Sequence, residues 1–322
     1  MPIIDAHVHV WTDDDTRCPL APGFKRLDGW PMAFLPETLL AHAGPCGVDR
    51  INLIQISFYG FDNSYMLDTI SRFPETFVGT AVVDAHAPDV ERTMAELQPR
   101  GIRAFRIHPR LAGRPPAEWL RPAGFATMFA AAERNGQALS CLIDPDGLAE
   151  VDRMCTEFSG TTVIIDHLAR VGGDGVIRDD DIMALCKLAR HPRVFVKLGA
   201  FYALGRKVPP YDDLAGLIER TVRAFGPERC MWESDSPFQV LPPHTYQASV
   251  DLIQKRLAFL TANDREWLLA KTAASVLFDA TLRSQFSERA GSVSDGFLQS
   301  VAHASGSLSG KWRAISRKRK NQ

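Results

Sequence analysis

The sequence lacks any Cys-x-x-Cys pair; its six cysteines, Cys18, Cys46, Cys141, Cys155, Cys186 and Cys230, are scattered along 322 residues. In a chain of this size that pattern reads as free thiols in a reducing compartment, not a disulfide framework. No stretch reaches the roughly 18 consecutive apolar residues that a membrane-spanning helix needs. Charge of one sign is missing too: Lys+Arg 37 against Asp+Glu 38 gives a formal net charge of −1. Nothing in that balance favours nucleic acid or an anionic membrane as a partner. No basic segment precedes the strand pattern that begins at Ile3, so no signal peptide is expected. These absences together predict a cytoplasmic protein.

What is present supports a large core: 45% of the residues are hydrophobic. The length suits one large α/β barrel or two medium domains. The first strand pattern is Ile3-Ile4-Asp5-Ala6-His7-Val8-His9-Val10. Strict alternation would put Asp5, His7 and His9 on one face and Ile4, Ala6, Val8 and Val10 on the other. Two imidazoles at i and i+2, at the end of a buried strand, can point at one small ion or one reacting atom.

Further strand patterns follow at 50–57, 77–83, 102–108, 138–143, 162–167, 194–198 and 230–235. Helical patterns lie between them at about 36–46, 62–72, 88–98, 125–135, 147–158, 179–190 and 211–225, with two more at about 244–260 and 263–280. Eight strands alternating with helices predict an α/β fold of the (β/α)8 TIM-barrel type over residues 1–281. A doubly wound sheet is the runner-up, but no Gly-x-Gly-x-x-Gly follows strand 1 to support it. The segment 11–35 has no clear period and reads as a long functional loop. From Leu282 the chain turns Ser-rich and ends near the basic run Arg317-Lys318-Arg319-Lys320. The stretch 282–322 is therefore expected to be a solvated, poorly ordered tail.

In such a barrel the chemistry gathers at the C-terminal ends of the strands. Those ends supply His7 and His9; Gln55 and Ser57; Arg106 and His108; Cys141 and Asp144; His167; Lys197; and Glu233 with Asp235. His167 and Asp235 each close an apolar run where a ligand or a base would sit. Glu233 and Asp235 share a face, and two unscreened carboxylates would raise one another's pKa. Lys197, on the neighbouring strand 7, is expected to pair with Glu233 and leave Asp235 free to ionise. Arg106 and Arg170 can bind a carboxylate through their paired N–H groups. Gln55, Tyr59 and the loop 57–65 add hydroxyl groups and aromatic walls, with Trp11 as another wall. This predicts a small, planar or ring-shaped substrate that carries a carboxylate.

Asp5-Ala6-His7-Val8-His9, the Asp166-His167 ending of strand 6 and the Ser234-Asp235-Ser236-Pro237 ending of strand 8 resemble the amidohydrolase superfamily. Within it the chain is most similar to the branch that holds sugar-lactone and pyrone-dicarboxylate lactonases and aromatic-acid decarboxylases. The resemblance spans about residues 1–280. It implies His7 and His9 as metal ligands or substrate donors, His167 as a ligand or electrostatic group, and Asp235 as the base that activates water. Metal-dependent members of the superfamily usually carry a further His or a modified Lys at the end of strand 5, where this chain has Ser140-Cys141-Leu142-Ile143. That departure argues against two metals. A single Zn²⁺ or Mn²⁺ held by His7, His9, His167 and Asp235 is compatible with the resemblance, and so is no metal. Glu233 is a second departure, since the family commonly has a small residue there. The expected activity is hydrolysis of a lactone or related carbonyl compound. The alternative is metal-dependent, non-oxidative decarboxylation of an aromatic or unsaturated acid, and a barrel that binds a small acid without turnover is a third reading. A homo-oligomer is compatible with the sequence.

Overall fold

A computed structural model describes residues 2–26, 28–108 and 115–278. The expected tail, 282–322, lies outside the described residues. Eight strands carry the architecture: β1 Ile3–Val8, β2 Val48–Ile54, β3 Phe77–Ala81, β4 Ile102–Ile107, β5 Ala138–Cys141, β6 Thr162–Ile165, β7 Val194–Leu198 and β8 Cys230–Trp232. They pair in chain order, all parallel. A doubly wound sheet would reverse its order at a switch point; this one runs from β1 to β8 without reversal and is a TIM barrel.

The helices between the strands are α1 Pro36–Ala43, α2 Ser64–Arg72, α3 Val90–Leu97, α4 Ala123–Asn135, α5 Leu148–Glu157, α6 Asp179–Lys187 and α7 Ala215–Phe225. Gly136 ends α4 in the left-handed conformation at φ +63°, which a residue without a Cβ adopts freely. No helix among the described residues is long and apolar enough to cross a membrane. All six cysteines are free thiols.

Strand alternation sorts the core into two layers. Phe105, Ile107, Leu139, Cys141, Val163, Ile165, Val196, Leu198, Cys230 and Trp232 face outward into one continuous core under the helices. Cys141, a strand-end candidate by sequence, therefore points away from the barrel mouth. The inward set of Ile4, Ala6, Val78, Ala104, Ala138, Ile164 and Met231 fills the N-terminal half of the barrel, packed against Ala270, Ala273, Leu277 and Phe278 of the last helical segment. Each such large apolar side chain contributes about 1.5–3 kcal/mol on burial. Above that plug the inward residues become polar.

Two sequence expectations change here. The polar strand ends lie beyond the ladders: β6 stops at Ile165 and β8 at Trp232, so Asp166, His167, Glu233 and Asp235 lie past regular pairing. Strand 1 also does not alternate strictly. Asp5 pairs with Ile51 and Val8 with Leu53, so three steps in β1 oppose two in β2. This β-bulge breaks the expected face. Asp5 turns outward to accept from the Tyr246 hydroxyl, while His7 joins Ala6 and His9 toward the axis.

The barrel closes through the segment after β8. Asp235 N–H donates to the His7 carbonyl at 2.9 Å and His9 N–H donates to the Ser236 carbonyl at 2.8 Å. Ser234 N–H donates to the Asp5 carboxylate at 2.9 Å. Burial pushes the Asp5 carboxyl up to about 7, against the hydrogen bonds it accepts from Ser234, Tyr246 and His7.

Candidate active site

The bulge in β1 and the seam with the segment after β8 bring two histidines and a carboxylate together at the C-terminal end of the barrel. His7 Nε2 and His9 Nε2 are 3.3 Å apart. Asp235 Oδ1 is 3.3 Å from His9 Nε2 and 3.6 Å from His7 Nε2. All three residues are buried. His9 Nδ1 donates to the Ile54 carbonyl at 2.9 Å; a carbonyl only accepts, so this nitrogen carries the proton. Burial pushes the His9 imidazole down to about 4, so at neutral pH its Nε2 bears a lone pair. Burial alone would raise the Asp235 carboxyl, but His167, His9 and His7 outweigh it and hold the group below the usual carboxylate range. A lone pair and a carboxylate oxygen thus face each other at 3.3 Å, and among the described residues Asp235 Oδ1 has no hydrogen-bond partner.

Such a triangle suits a cation. Zn²⁺ with ligands at roughly 2.0–2.1 Å in tetrahedral geometry separates neighbouring ligand atoms by about 3.3–3.4 Å. The three edges here are 3.3, 3.3 and 3.6 Å. His7, His9 and Asp235 therefore fit one divalent ion with a coordination position left over. A second grouping, His7, Asp166 and His167, has ligand atoms within 4.8 Å of one another. Lys197 already occupies it: its Nζ lies 2.9 Å from Asp166 Oδ1, 3.1 Å from His7 Nδ1 and 3.3 Å from Ser140 Oγ. Ser140 also donates to Asp166 Oδ1 at 2.6 Å. An ammonium stands where a second cation would sit.

This corrects the expected partner of Lys197. The lysine pairs with Asp166 on neighbouring β6, and Glu233 belongs to the histidines, with Oε1 2.5 Å from His167 Nδ1 and Oε2 3.1 Å from His7 Nδ1. Gly199 makes room for it, because a Cβ there would meet Glu233 Cγ at 2.1 Å. Burial opposes ionisation of Glu233, but His167 and His7 draw its carboxyl down to about 2. Burial likewise opposes charge on His167, and the Glu233 and Asp235 carboxylates outweigh it, so the imidazole is raised above its ordinary value. His167 Nε2 lies 3.9 Å from Asp235 Oδ2.

The other predicted residues spread around this centre. Arg106 is buried, its Nε 3.5 Å from Asp166 Oδ2, and neither atom has an aligned hydrogen bond. Gln55 is buried at the end of β2 and donates to the Asp62 carbonyl. The Tyr59 hydroxyl faces Thr12, 3.2 Å from its N–H. Arg170 sits on the rim in a two-point pair with Asp144, at 2.7 and 2.5 Å. Trp11 is fully buried and donates to the Pro31 carbonyl, bracing the loop from below.

Two residues were not singled out by sequence. Tyr202, on the turn after β7, donates its hydroxyl to Asp235 Oδ2 at 2.7 Å, which directs Oδ1 at the histidines. Phe238 supplies the aromatic wall, its ring centre 6.0 Å from His9 and 5.8 Å from Tyr202. Both lie on loops at the catalytic end of a barrel, the one available signal. Asp166 stands out in the sequence only within the Asp166-His167 ending of strand 6.

Residues 4–278 match the model of a family described as amidohydrolase. An L-fucono-1,5-lactonase of Burkholderia ambifaria is 28% identical over 247 residues, covering 75% of this chain and 82% of that protein. Among solved structures, a probable 2-pyrone-4,6-dicarboxylic acid hydrolase of Acinetobacter baumannii, with citric acid bound, is similar at TM-score 0.73 and 21% identity. The match covers 86% of this chain and 99% of that one. An amidohydrolase of Burkholderia multivorans with bound Zn is similar at TM-score 0.70 and 21% identity, over 86% and 99% of the two chains. The chain belongs to the amidohydrolase family and is a hydrolase.

Proposed function

We propose that this protein hydrolyses a small lactone bearing a carboxylate. The observation that carries the reading is the convergence of His7 Nε2, His9 Nε2 and Asp235 Oδ1, with Arg106 buried on the same inner wall. The relatives named for lactone hydrolysis support the substrate class. His7, His9 and Asp235 would hold one divalent ion, Zn²⁺ or Mn²⁺, with His167 facing Asp235 from the other side. When bound, such an ion supplies Lewis acidity that polarises a carbonyl and acidifies water.

The chain's own groups do the rest. Asp235, held ionised by its imidazole neighbours, takes a proton from water as the oxygen attacks the lactone carbonyl. The Tyr202 hydroxyl fixes the carboxylate plane during that transfer. As the ring C–O bond breaks, the proton on Asp235 passes to the departing ring oxygen, leaving a hydroxy acid. A cationic His167 offsets negative charge developing at the carbonyl oxygen. The Arg106 guanidinium, with Arg170 on the rim, orients the substrate carboxylate, while Gln55 and Tyr59 shape the wall. The substrate is a small molecule, and a cytoplasmic enzyme fits the six free thiols.

A panel of carboxylate-bearing lactones, read by acid release in a pH-stat, tests the proposal. Stoichiometric acid release without gas supports it. Release of CO₂ from an aromatic or unsaturated acid, with no lactone turned over, overturns it in favour of decarboxylation.

A further inference from the structure

His7 Nδ1 has two competing neighbours inside the barrel. Lys197 Nζ lies 3.1 Å away in hydrogen-bond geometry. Glu233 Oε2 lies at the same distance, and this fully buried oxygen has no aligned hydrogen bond among the described residues. The two neighbours demand opposite things of the ring. An ammonium only donates, so with Lys197 as partner Nδ1 accepts and the ring proton sits on Nε2, where it can donate to His9 Nε2 at 3.3 Å. A carboxylate only accepts, so with Glu233 as partner Nδ1 carries the proton and Nε2 turns a lone pair toward His9 Nε2 and Asp235 Oδ1.

We propose that Glu233 is the positioning residue that makes His7 a metal ligand, by taking Nδ1–H from the ring and displacing Lys197 as its partner. The assignment rests on the reading that His7, His9 and Asp235 hold a divalent ion. The ring keeps one proton throughout: the Nε2 proton passes to solvent water as the ion takes that lone pair, and water returns one to Nδ1, so His7 releases no net proton. Lys197 keeps Asp166 Oδ1 at 2.9 Å and Ser140 Oγ at 3.3 Å as partners, so its charge stays compensated. The other oxygen of Glu233, Oε1, accepts from Nδ1–H of His167 at 2.5 Å. One carboxylate thus faces two imidazoles, one oxygen to each. Carboxylates behind a ligating imidazole commonly strengthen metal binding by 10–100-fold.

A carboxamide has one acceptor oxygen where the carboxylate has two. In Glu233→Gln one histidine keeps its acceptor and the other faces an N–H₂ group. His167 makes the shorter contact, so the amide faces His7 and holds it in the Nε2–H form. The experiment combines Zn²⁺ affinity, by chelator competition, with ¹⁵N spectra of histidine-labelled protein with and without Zn²⁺. In the wild type, Zn²⁺ should convert one ring from Nε2–H to Nδ1–H, and a His7→Gln spectrum assigns it. Glu233→Gln should lose 10–100-fold in Zn²⁺ affinity and keep the Nε2–H ring. Glu233→Asp, with both acceptor oxygens retained on a shorter stem, should recover part of the affinity.

Wild-type protein that takes up no Zn²⁺ overturns the underlying metal reading. Wild-type uptake with unchanged affinity in Glu233→Gln overturns the role of Glu233 alone, as does a His7 ring that remains Nε2–H with Zn²⁺ bound. The wild-type spectra, assigned through His7→Gln, do not depend on Glu233→Gln, so a His7 ring that stays Nε2–H overturns the proposal even where Glu233→Gln does not fold.

Discussion

Replacing Asp235 by Asn separates the chemistry of the carboxylate from its place in the fold. The backbone tolerates the change: Asp235 has φ +61°, a left-handed conformation that Asn adopts readily. Its N–H bond to the His7 carbonyl is unaffected, and the amide oxygen can still accept from Tyr202. The new amide N–H₂ faces His9 Nε2 at 3.3 Å and gains a bond worth about 1 kcal/mol. Against this, the His167 imidazole, raised above its ordinary value, loses the carboxylate 3.9 Å from its Nε2. The two effects oppose each other, and a net change of about 1 kcal/mol moves the thermal midpoint by only about 2–4 °C. Turnover has no such compensation. Without a proton acceptor kcat should fall by ~10²–10⁴, or about 3–5 kcal/mol in barrier height. Acid release per folded molecule and the thermal midpoint, measured on one preparation, check both halves. A folded variant with near-normal turnover removes Asp235 from the mechanism. A loss of activity that merely tracks the folded fraction makes the carboxylate structural.

Arg106→Lys keeps a buried cation beside Asp166 but loses the planar fork, so KM for a carboxylate-bearing lactone should rise at least tenfold with the midpoint little changed; unchanged kinetics would end the carboxylate-clamp idea. Arg170→Gly is a cleaner change than Arg170→Ala, because Arg170 sits at φ +53°, where glycine is favoured. Its fork is already taken by Asp144, so the KM effect should be smaller than that of Arg106→Lys, and a larger one would reverse their ranking. On α5, Asp152 is held below its ordinary value: burial would raise it, but His191, Lys187 and Arg190 outweigh that by hydrogen bonding. A depressed carboxyl contributes stability above its unfolded pKa of about 3.9 and loses it as pH falls through the folded value. Asp152→Asn should therefore be less stable than wild type in urea at pH 7, with the difference shrinking below about pH 4; a gap that stays constant with pH would show the ion cluster contributes nothing.

The barrel was readable because its signal is periodic and repeated. Each of the eight strand patterns lies within a few residues of a strand, and the polar residues closing them, His7, His9, His167 and Asp235, do converge. What could not be read depends on displacements of a single residue or on loops. Asp5 leaves the face of His7 because of one extra residue in β1, and hydrophobic alternation gives no sign of a bulge. Lys197 had acidic candidates on both neighbouring strands; Asp166 lies 2.9 Å from it while His167 and His7 flank the two oxygens of Glu233, a three-body arrangement no pairwise pattern encodes. Tyr202 and Phe238 sit on irregular turns, where neither period nor propensity speaks. Four successive residues, His167 to Arg170, have φ between +52° and +54°. A left-handed turn without glycine costs about 1–2 kcal/mol per residue and is invisible to propensity.

The seam between the first strand and the last gives the site a timetable. The carboxylate of Asp5 meets the backbone of Ser234 across 229 residues of sequence. During synthesis at roughly 5–20 residues per second, the strand bearing His7 and His9 leaves the ribosome on the order of 10–50 s before its counterpart exists. Until then the two histidines have no Asp235, the barrel has an open edge, and the nascent chain can neither close nor react. Every other pairing in the sheet is between consecutive strands and can form as the chain grows. On the proposed chemistry, competence therefore waits for the segment after β8, which brings Asp235 to His7 and His9.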